Sequence, residues 1–392
     1  MYLSLDEQLR ADNVGLPPLR IAILLPGLGR VRRGAETAFL ALAEQFAKNP
    51  AISVTLFGSG SEVPPGVQIV NVGCIPRERF EGWPKVPVLR DECCYEELSF
   101  VLRLTHGNAF RARRFDLALH CSFPFINWLL TRAGRRTGMK SVFVTENGDW
   151  MCRAASREFR TFRCDGLVCT NPEYYDRHKD RYPSVLIPNG VDPDRYRPAT
   201  GATKGDFGPK LGPGVRVVLM VSALIPSKRV AEGVRAVARL PDTYLMVAGD
   251  GPERHAVAAV AAKEMPGRHL LLGAVRREEM PALYRRADAF LHMSQDEPSC
   301  ISYLEAAATG LPMVIHDAPV PRWTLGAAAR YVNTSDLDAV AAAVRAALGP
   351  DGPAMGEAAR ARVMAGWTWA ALARQYVQFF GSLVPQFKPQ DA

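Results

Sequence analysis

Short runs of β-branched and apolar residues recur along the chain at 21–25, 53–57, 117–120, 142–145 and 167–170, separated by stretches with amphipathic helical spacing. That alternation predicts successive βα units and a parallel sheet. After Pro198 comes a segment rich in glycine, threonine and lysine, in which Phe207 and Leu211 are the only large apolar side chains, and it reads as an interdomain linker. The alternation restarts at 215–221 and continues at 244–248, 270–272, 290–292 and 313–315. Two α/β domains follow, 18–198 and 215–366, joined by a linker over 199–214. The last apolar stretch, 367–383, predicts a helix about 25 Å long, enough to reach back across an interdomain seam. Ligands of parallel sheets lie beyond the carboxyl ends of the strands. The site is therefore expected in a cleft between the two facing domains, with its motifs just after strands.

Composition narrows the class. The chain has 392 residues, 48% hydrophobic and 22% charged, which suits an ordinary globular protein and excludes disorder. A net charge of +8 favours phosphate-bearing small molecules but is too diffuse to announce nucleic acid. The N-terminal sequence carries acids and no apolar run of signal-peptide length, and no stretch approaches about 18 apolar residues, so secretion and membrane spanning are not expected. Eight cysteines form no CxxC or even framework and seven histidines no HxxxH. Reduced thiols in a cytoplasmic protein, with no metal site, are the expectation.

Three segments carry chemistry. The first strand runs into Pro26-Gly27-Leu28-Gly29-Arg30, and Gly34-Ala35-Glu36 then opens a helix; glycine there lets backbone amides approach a phosphate. A tight strand-to-helix turn also needs glycine for steric reasons alone, and the spacing is not the dinucleotide GxGxxG. The strand at 217–221 leads to Pro226-Ser227-Lys228-Arg229, which sets two cations at the start of the next helix, against its dipole. An anion is expected to compensate them; a pair of solvated surface cations is the plainer alternative. The third segment is Glu297-Pro298-Ser299-Cys300-Ile301-Ser302-Tyr303-Leu304-Glu305, closed by Gly310-Leu311-Pro312. Ser299 is expected as N-cap and Gly310 as the stop. Glu297 then lies before the helix and Glu305 roughly 9 Å further along its axis, so the two can hold different parts of one elongated ligand. Between them the amides of Ser299, Cys300 and Ile301 form a donor cluster for phosphate.

The two glutamates seven residues apart in EPSCISYLEAAATGLPMV resemble the hallmark of the family 4 glycosyltransferases. The likeness extends over nearly the whole chain: Ala248-Gly249-Asp250-Gly251-Pro252-Glu253 is similar to the family's second-domain turn, Ile187-Pro188-Asn189-Gly190-Val191-Asp192 to the segment before its linker, and Gly34-Ala35-Glu36 to its first-domain loop. The resemblance implies the GT-B architecture of two Rossmann-like domains with a C-terminal helix crossing back, the acceptor held by the first domain and the donor nucleotide by the second. It implies a retaining hexosyl transfer from a nucleoside-diphosphate sugar, a UDP-sugar before a GDP-sugar, to a hydroxyl of a saccharide-like or lipid-linked acceptor, with no further cofactor. By position Lys228 would bind the pyrophosphate, Glu297 the sugar hydroxyls and Glu305 the ribose, with Arg229 a further phosphate partner and Gly29, Arg30, Gly34 and Gly251 lining the donor.

Two departures from the family pattern bear on these roles. Ala223 stands where many relatives place an arginine, so the phosphate charge falls to Lys228, helix amides and Arg30, Arg32 or Arg33. Glu146 stands where many place a histidine; Glu146 is the candidate for that role and His120, ending the preceding strand, the competing one. Asp192-Pro193-Asp194 mimics a DxD metal motif, but its place after Pro188-Asn189-Gly190 favours a turn. Arg103, Arg111, Arg113 and Arg114, set among Phe100, Leu102, Leu104, Phe110 and Phe115, favour a solvated helix face, with peripheral contact to an anionic membrane as the second reading. The rival functions are a sugar-nucleotide epimerase on the same fold and a donor-binding subunit without turnover.

Overall fold

The computed structural model describes residues 17–31, 33–106, 110, 114–153, 159–199 and 207–388. Arg32, Arg111, Arg113 and linker residues 200–206 lie outside them, as does the acid-bearing N-terminus.

The strands β1 (Leu19–Leu24), β2 (Ile52–Gly58), β3 (Gln68–Asn71), β4 (Leu117–His120), β5 (Lys140–Val144), β6 (Gly166–Cys169) and β7 (Ser184–Leu186) form a seven-stranded sheet in the order β3-β2-β1-β4-β5-β6-β7. Neighbours from β3 to β6 run parallel, with Leu19 opposite Ile52 and Ile21 opposite Leu117. Consecutive residues Ile21, Ala22, Ile23 and Leu24 are all fully buried. Both faces of this sheet are therefore covered, which is why its central strands read as unbroken apolar runs instead of alternating ones. The helices Gly34–Ala47, Glu92–His106 and Phe125–Thr137 supply the cover, the last ending at Gly138 in the left-handed region (φ 78°).

The second sheet comprises β8 (Arg216–Val221), β9 (Thr243–Ala248), β10 (His269–Gly273), β11 (Ala289–Leu291), β12 (Met313–His316) and β13 (Arg330–Val332), in the order β10-β9-β8-β11-β12-β13, all parallel. Val217 and Leu219 join one apolar cluster and Val218 and Met220 another, the two faces of one strand packing into separate cores. The expected α/β class, two parallel Rossmann-like sheets, is what the chain forms.

Three strands were not foreseen: β3, β7 and β13. Each is an edge strand of three or four residues, and none of their side chains is fully buried, so no strong apolar run marks them. By contacts the chain divides differently from the sequence reading. One unit holds the described residues up to Cys169 with Arg177–Val185 and those from Ala373 on; the other holds Thr170–Asp176 and Leu186–Leu372. The segment 187–198 goes with the second sheet because Val191 N donates to Trp367 O (2.9 Å) and Trp369 N to Val191 O (3.1 Å). The final helix, Trp369–Leu383, starts in that unit and ends in the first, where Tyr376 and Phe380 meet the Phe46 ring edge-on at 6.1 and 5.7 Å.

Candidate active site

In the second sheet the connections from β8 lead one way, to β9 and β10, while β11 starts the other half. β8 and β11 are the adjacent strands at this reversal, the place beyond whose carboxyl ends open α/β sheets hold their ligands. The loop after β8 carries Lys228, and that after β11 carries Glu297. The Lys228 ammonium sits directly on Glu297 Oε2, with the two side chains 21% and 8% exposed. Burial pushes the Glu297 carboxyl above its ordinary value against the pull of the ammonium.

Beneath this pair lies His292, which the sequence reading did not single out. Its Nε2 is 3.7 Å from Glu297 Oε2 and 3.9 Å from Cys300 Sγ, and its Nδ1 is 3.2 Å from the Tyr303 hydroxyl. Burial, then the charge of Lys228, lowers its pKa to about 3, so the ring is neutral. His292, Glu297 and Cys300 thus place three potential metal-ligand atoms within 4.8 Å of one another, which corrects the expectation that no such cluster lies near these motifs. Sequence spacing could not reveal it because the fold, not a helix turn, brings His292 under the loop. Its chemistry fits a cation poorly: Lys228 already neutralises Glu297, and burial pushes the Cys300 thiol up to about 12.

The loop between Glu297 and the helix Ile301–Ala308 is held from below. Asn189 Nδ2 donates to Ser299 Oγ (2.9 Å) and Asn171 Nδ2 to Pro298 O (3.0 Å). Ser299 is therefore not the N-cap; Cys300 takes that position, with no side-chain cap bond, because the serine hydroxyl is engaged by Asn189. The leading amides of this helix remain without intrahelical acceptors. Glu305 lies within the helix, half-buried, accepting from the Tyr284 hydroxyl at 2.8 Å, with Tyr196 as a second hydroxyl partner and burial raising its pKa. Both tyrosines escaped the sequence reading because they come from remote segments.

Arg229 departs from expectation. It is the described non-glycine residue with positive φ (52°), and its guanidinium pairs with Glu232 in the first turn of the helix Val230–Ala238. Its charge is met within the chain, as Lys228's is by Glu297. Gly251 also has a steric explanation: a Cβ there would lie 2.4 Å from Leu224 O, and one on Gly249 1.8 Å from Ser222 O. The glycine turn thus presses on the 222–229 loop, reinforced by Leu224 N to Asp250 O at 3.0 Å and Glu253 N to Leu224 O at 2.9 Å. The buried Ser222 hydroxyl in that loop has no hydrogen-bond partner among the described residues.

In the other unit, Gly29 (φ 74°) leaves room for Gly60, whose backbone a Cβ would meet at 2.8 Å. Gly34 has open space around it, so close packing does not require its being glycine. Arg30 donates to Ser59 Oγ (2.8 Å) and pairs with the buried Glu96, which also has Arg33 at 3.6 Å. Glu146 is half-buried in the turn Thr145–Asn147 after β5. His120 is fully buried instead of open at the strand end, between Ser122 O (3.1 Å) and Ser141 Oγ (3.2 Å), and burial lowers its pKa to about 4. That placement suits a neutral core histidine. Asp192 Oδ1 accepts from the amides of Asp194 (3.0 Å) and Arg195 (3.2 Å), an Asx turn of the kind expected from its sequence.

Residues 32–195 match the family profile described as Glycosyltransferase Family 4, and residues 206–360 that described as glycosyl transferases group 1. A relative from Corynebacterium glutamicum, a GDP-mannose-dependent monoacylated alpha-(1-6)-phosphatidylinositol monomannoside mannosyltransferase, is 28% identical over 282 residues, covering 65% of this chain and 73% of its own length. Sucrose-phosphate synthase from Thermosynechococcus elongatus superposes with a TM-score of 0.74 at 18% identity, covering 94% of this chain and all of its own. The Anabaena protein HepE in complex with UDP and glucose does so with a TM-score of 0.68 at 15% identity, over 93% of this chain and 100% of its own. With both halves matched in order and both sheets of the expected topology, the chain belongs to the family 4 glycosyltransferases of the GT-B fold.

Proposed function

We propose that this glycosyltransferase retains anomeric configuration, moving a hexose from a nucleoside-diphosphate sugar to a hydroxyl of a saccharide-like or lipid-linked acceptor, with UDP-sugars preferred. The observation that carries the reading is the Lys228–Glu297 pair at the strand-order reversal, beside the leading amides of the helix Ile301–Ala308. A diphosphate entering there exchanges places with the Glu297 carboxylate as the partner of Lys228. Glu297 is thereby freed to accept from sugar hydroxyls, while the ammonium and the amides take the charge that develops on the leaving phosphate. Glu305, oriented by Tyr284 and Tyr196, is the candidate ribose contact.

Arg229, tied to Glu232, acts by fixing the loop that carries Lys228. In the first unit Gly29, Arg30, Gly34 and Glu146 are the candidates for donor contact, and His120 for structural support alone. The departing phosphate takes the acceptor proton, which accounts for retention without a carboxylate nucleophile. HepE in its complex with UDP and glucose supports a uridine donor, and the mannosyltransferase relative named as GDP-mannose-dependent supports testing guanosine beside it.

Thermal-shift screening against UDP-, GDP- and ADP-sugars identifies the donor, since binding to the native state raises its melting temperature. Transfer from that donor, with the product anomer read by NMR, tests the chemistry. Lys228→Ala should slow transfer at least about 100-fold. A product of inverted configuration overturns retention, and binding without turnover on any acceptor or water makes the chain a donor-binding subunit.

A further inference from the structure

The helix Phe125–Thr137 contains no acidic residue and presents Arg132, Arg135 and Arg136, all exposed, on one side. Arg160 and Arg163, also exposed, come from the segment that precedes β6. These five arginines line one pocket of about 440 Å³, completed by Trp128, Thr131 and Thr161, and among the described residues no acid joins its wall. They amount to more than half of the chain's net charge of +8. Among the described residues none of the five has an ion-pair partner. Asp165, the described acid nearest Arg163 in sequence, is taken by Lys140 (3.6 Å) and the Ser141 amide (2.9 Å).

The pocket is held in shape by hydrogen bonds, of which only those of Arg163 use one of its guanidinium groups. Asn127 Nδ2 donates to Arg163 O (2.7 Å) and Trp128 Nε1 to Thr161 Oγ1 (2.8 Å), clamping the arginine-bearing segment to the helix. Arg163 Nη1 donates to the carbonyls of Arg160 and Phe162, each at 2.7 Å, which fixes its guanidinium at the wall. Thr131 Oγ1 is buried in this lining with no hydrogen-bond partner among the described residues. Crowding like charges around one concavity costs free energy unless an anion or solvent screens them. A buried orphan hydroxyl costs more until something bonds to it. Arginine forks match the paired oxygens of phosphate, and a pocket of this size suits a small phosphorylated group.

We infer that this pocket is a binding site for a multiply charged phosphate group, borne either by a soluble molecule or by a lipid headgroup. Its residues belong to the first unit, whereas Lys228, Glu297 and Glu305 belong to the second. The Arg132, Arg135, Arg136 and Arg160 forks bind the phosphate oxygens, with the remaining edge of Arg163 beside them, and the Thr131 hydroxyl donates to one of these oxygens.

The test is calorimetric titration of the full chain with inorganic pyrophosphate in the presence of saturating UDP, and flotation with vesicles of phosphatidic acid against phosphatidylcholine. The variants are Arg135→Glu with Arg160→Glu, two exposed positions that leave the core intact, and Thr131→Val. Pyrophosphate binding by the wild type, weakened at least about tenfold by the double charge reversal and less by Thr131→Val, supports a soluble phosphate ligand. Selective flotation with phosphatidic acid, lost in the double variant, supports the lipid source. Binding of neither probe by the wild type, or equal binding by the double variant, overturns the site. Unchanged melting temperature of that variant excludes unfolding as the cause.

Discussion

The Lys228–Glu297 pair makes an asymmetric prediction in the ligand-free protein. Two unit charges about 4 Å apart attract by about 4 kcal/mol at an effective dielectric of about 20. Glu297 is the more buried partner, 8% exposed against 21% for Lys228. Lys228→Ala strands a carboxylate that cannot reach water, and breaking a buried pair from one side costs about 3–5 kcal/mol. Glu297→Gln strands an ammonium on a flexible stem that can turn toward solvent, so its cost is nearer about 1–2 kcal/mol. The double variant Lys228→Ala with Glu297→Gln leaves no buried charge and should regain about 2 kcal/mol relative to Lys228→Ala.

The pH dependence has a fixed sign. Burial already raises the Glu297 pKa above 4.5, and losing Lys228 raises it further. A carboxyl raised in the folded state adds stability that is full below its unfolded pKa and lost as pH rises through the folded one. The deficit of Lys228→Ala should therefore narrow as pH falls from neutral toward the ordinary carboxyl range. Urea unfolding at both ends of that interval measures it. Equal stability of the two single variants, strict additivity in the double, or a deficit indifferent to pH would refute the reasoning.

Asp149 is 1% exposed and, despite burial, is held down to about 2 from 3.8 by bonds from His178, Arg153 and Arg177. At about 1.4 kcal/mol per unit this is about 2.5 kcal/mol at neutral pH, present above the unfolded pKa and lost as pH falls through the folded one. Asp149→Asn should lower urea stability by that amount at neutral pH and converge with wild type near about pH 2. Gly249→Ala places a Cβ 1.8 Å from Ser222 O and should destabilise the protein and shrink its donor-induced thermal shift, whereas Gly34→Ala, with open space, should do neither. Glu305→Ala should weaken donor binding while Glu297→Gln chiefly lowers turnover, a split read as Kd against kcat. Transfer should persist in excess EDTA because Lys228 and helix amides meet the phosphate charge; loss of activity restored by Mn²⁺ would reopen the His292, Glu297 and Cys300 cluster as a metal site.

Much of the fold was legible because buried parallel strands write themselves as continuous apolar runs: 117–120 was read to the residue and most others to within one or two. The site's loops were legible for a related reason, since glycine, proline and charge must follow a strand directly where a ligand approaches its carboxyl end. Lys228, Glu297 and Glu305 come from such loops or the helix that follows. Resemblance supplied their proposed roles, which spacing alone does not contain.

What the sequence left undetermined depends on contacts between remote segments. The edge strands β3, β7 and β13 have too little burial to leave a pattern, and only pairing with a neighbour makes them strands. Ser299 looks like a helix cap until Asn189, 110 positions away, claims its hydroxyl. Arg229 looks like a free cation until the left-handed turn folds it onto Glu232. His292 gains its meaning from Glu297 and Tyr303 packing around it, and the arginine pocket from Asn127 and Trp128 bonding to residues 36 and 33 positions away. Local pattern fixes which elements form, because burial and backbone preference act along the chain. Hydrogen bonds and charges act through space, so which groups are free to meet a ligand is decided only once the tertiary structure has paired the rest.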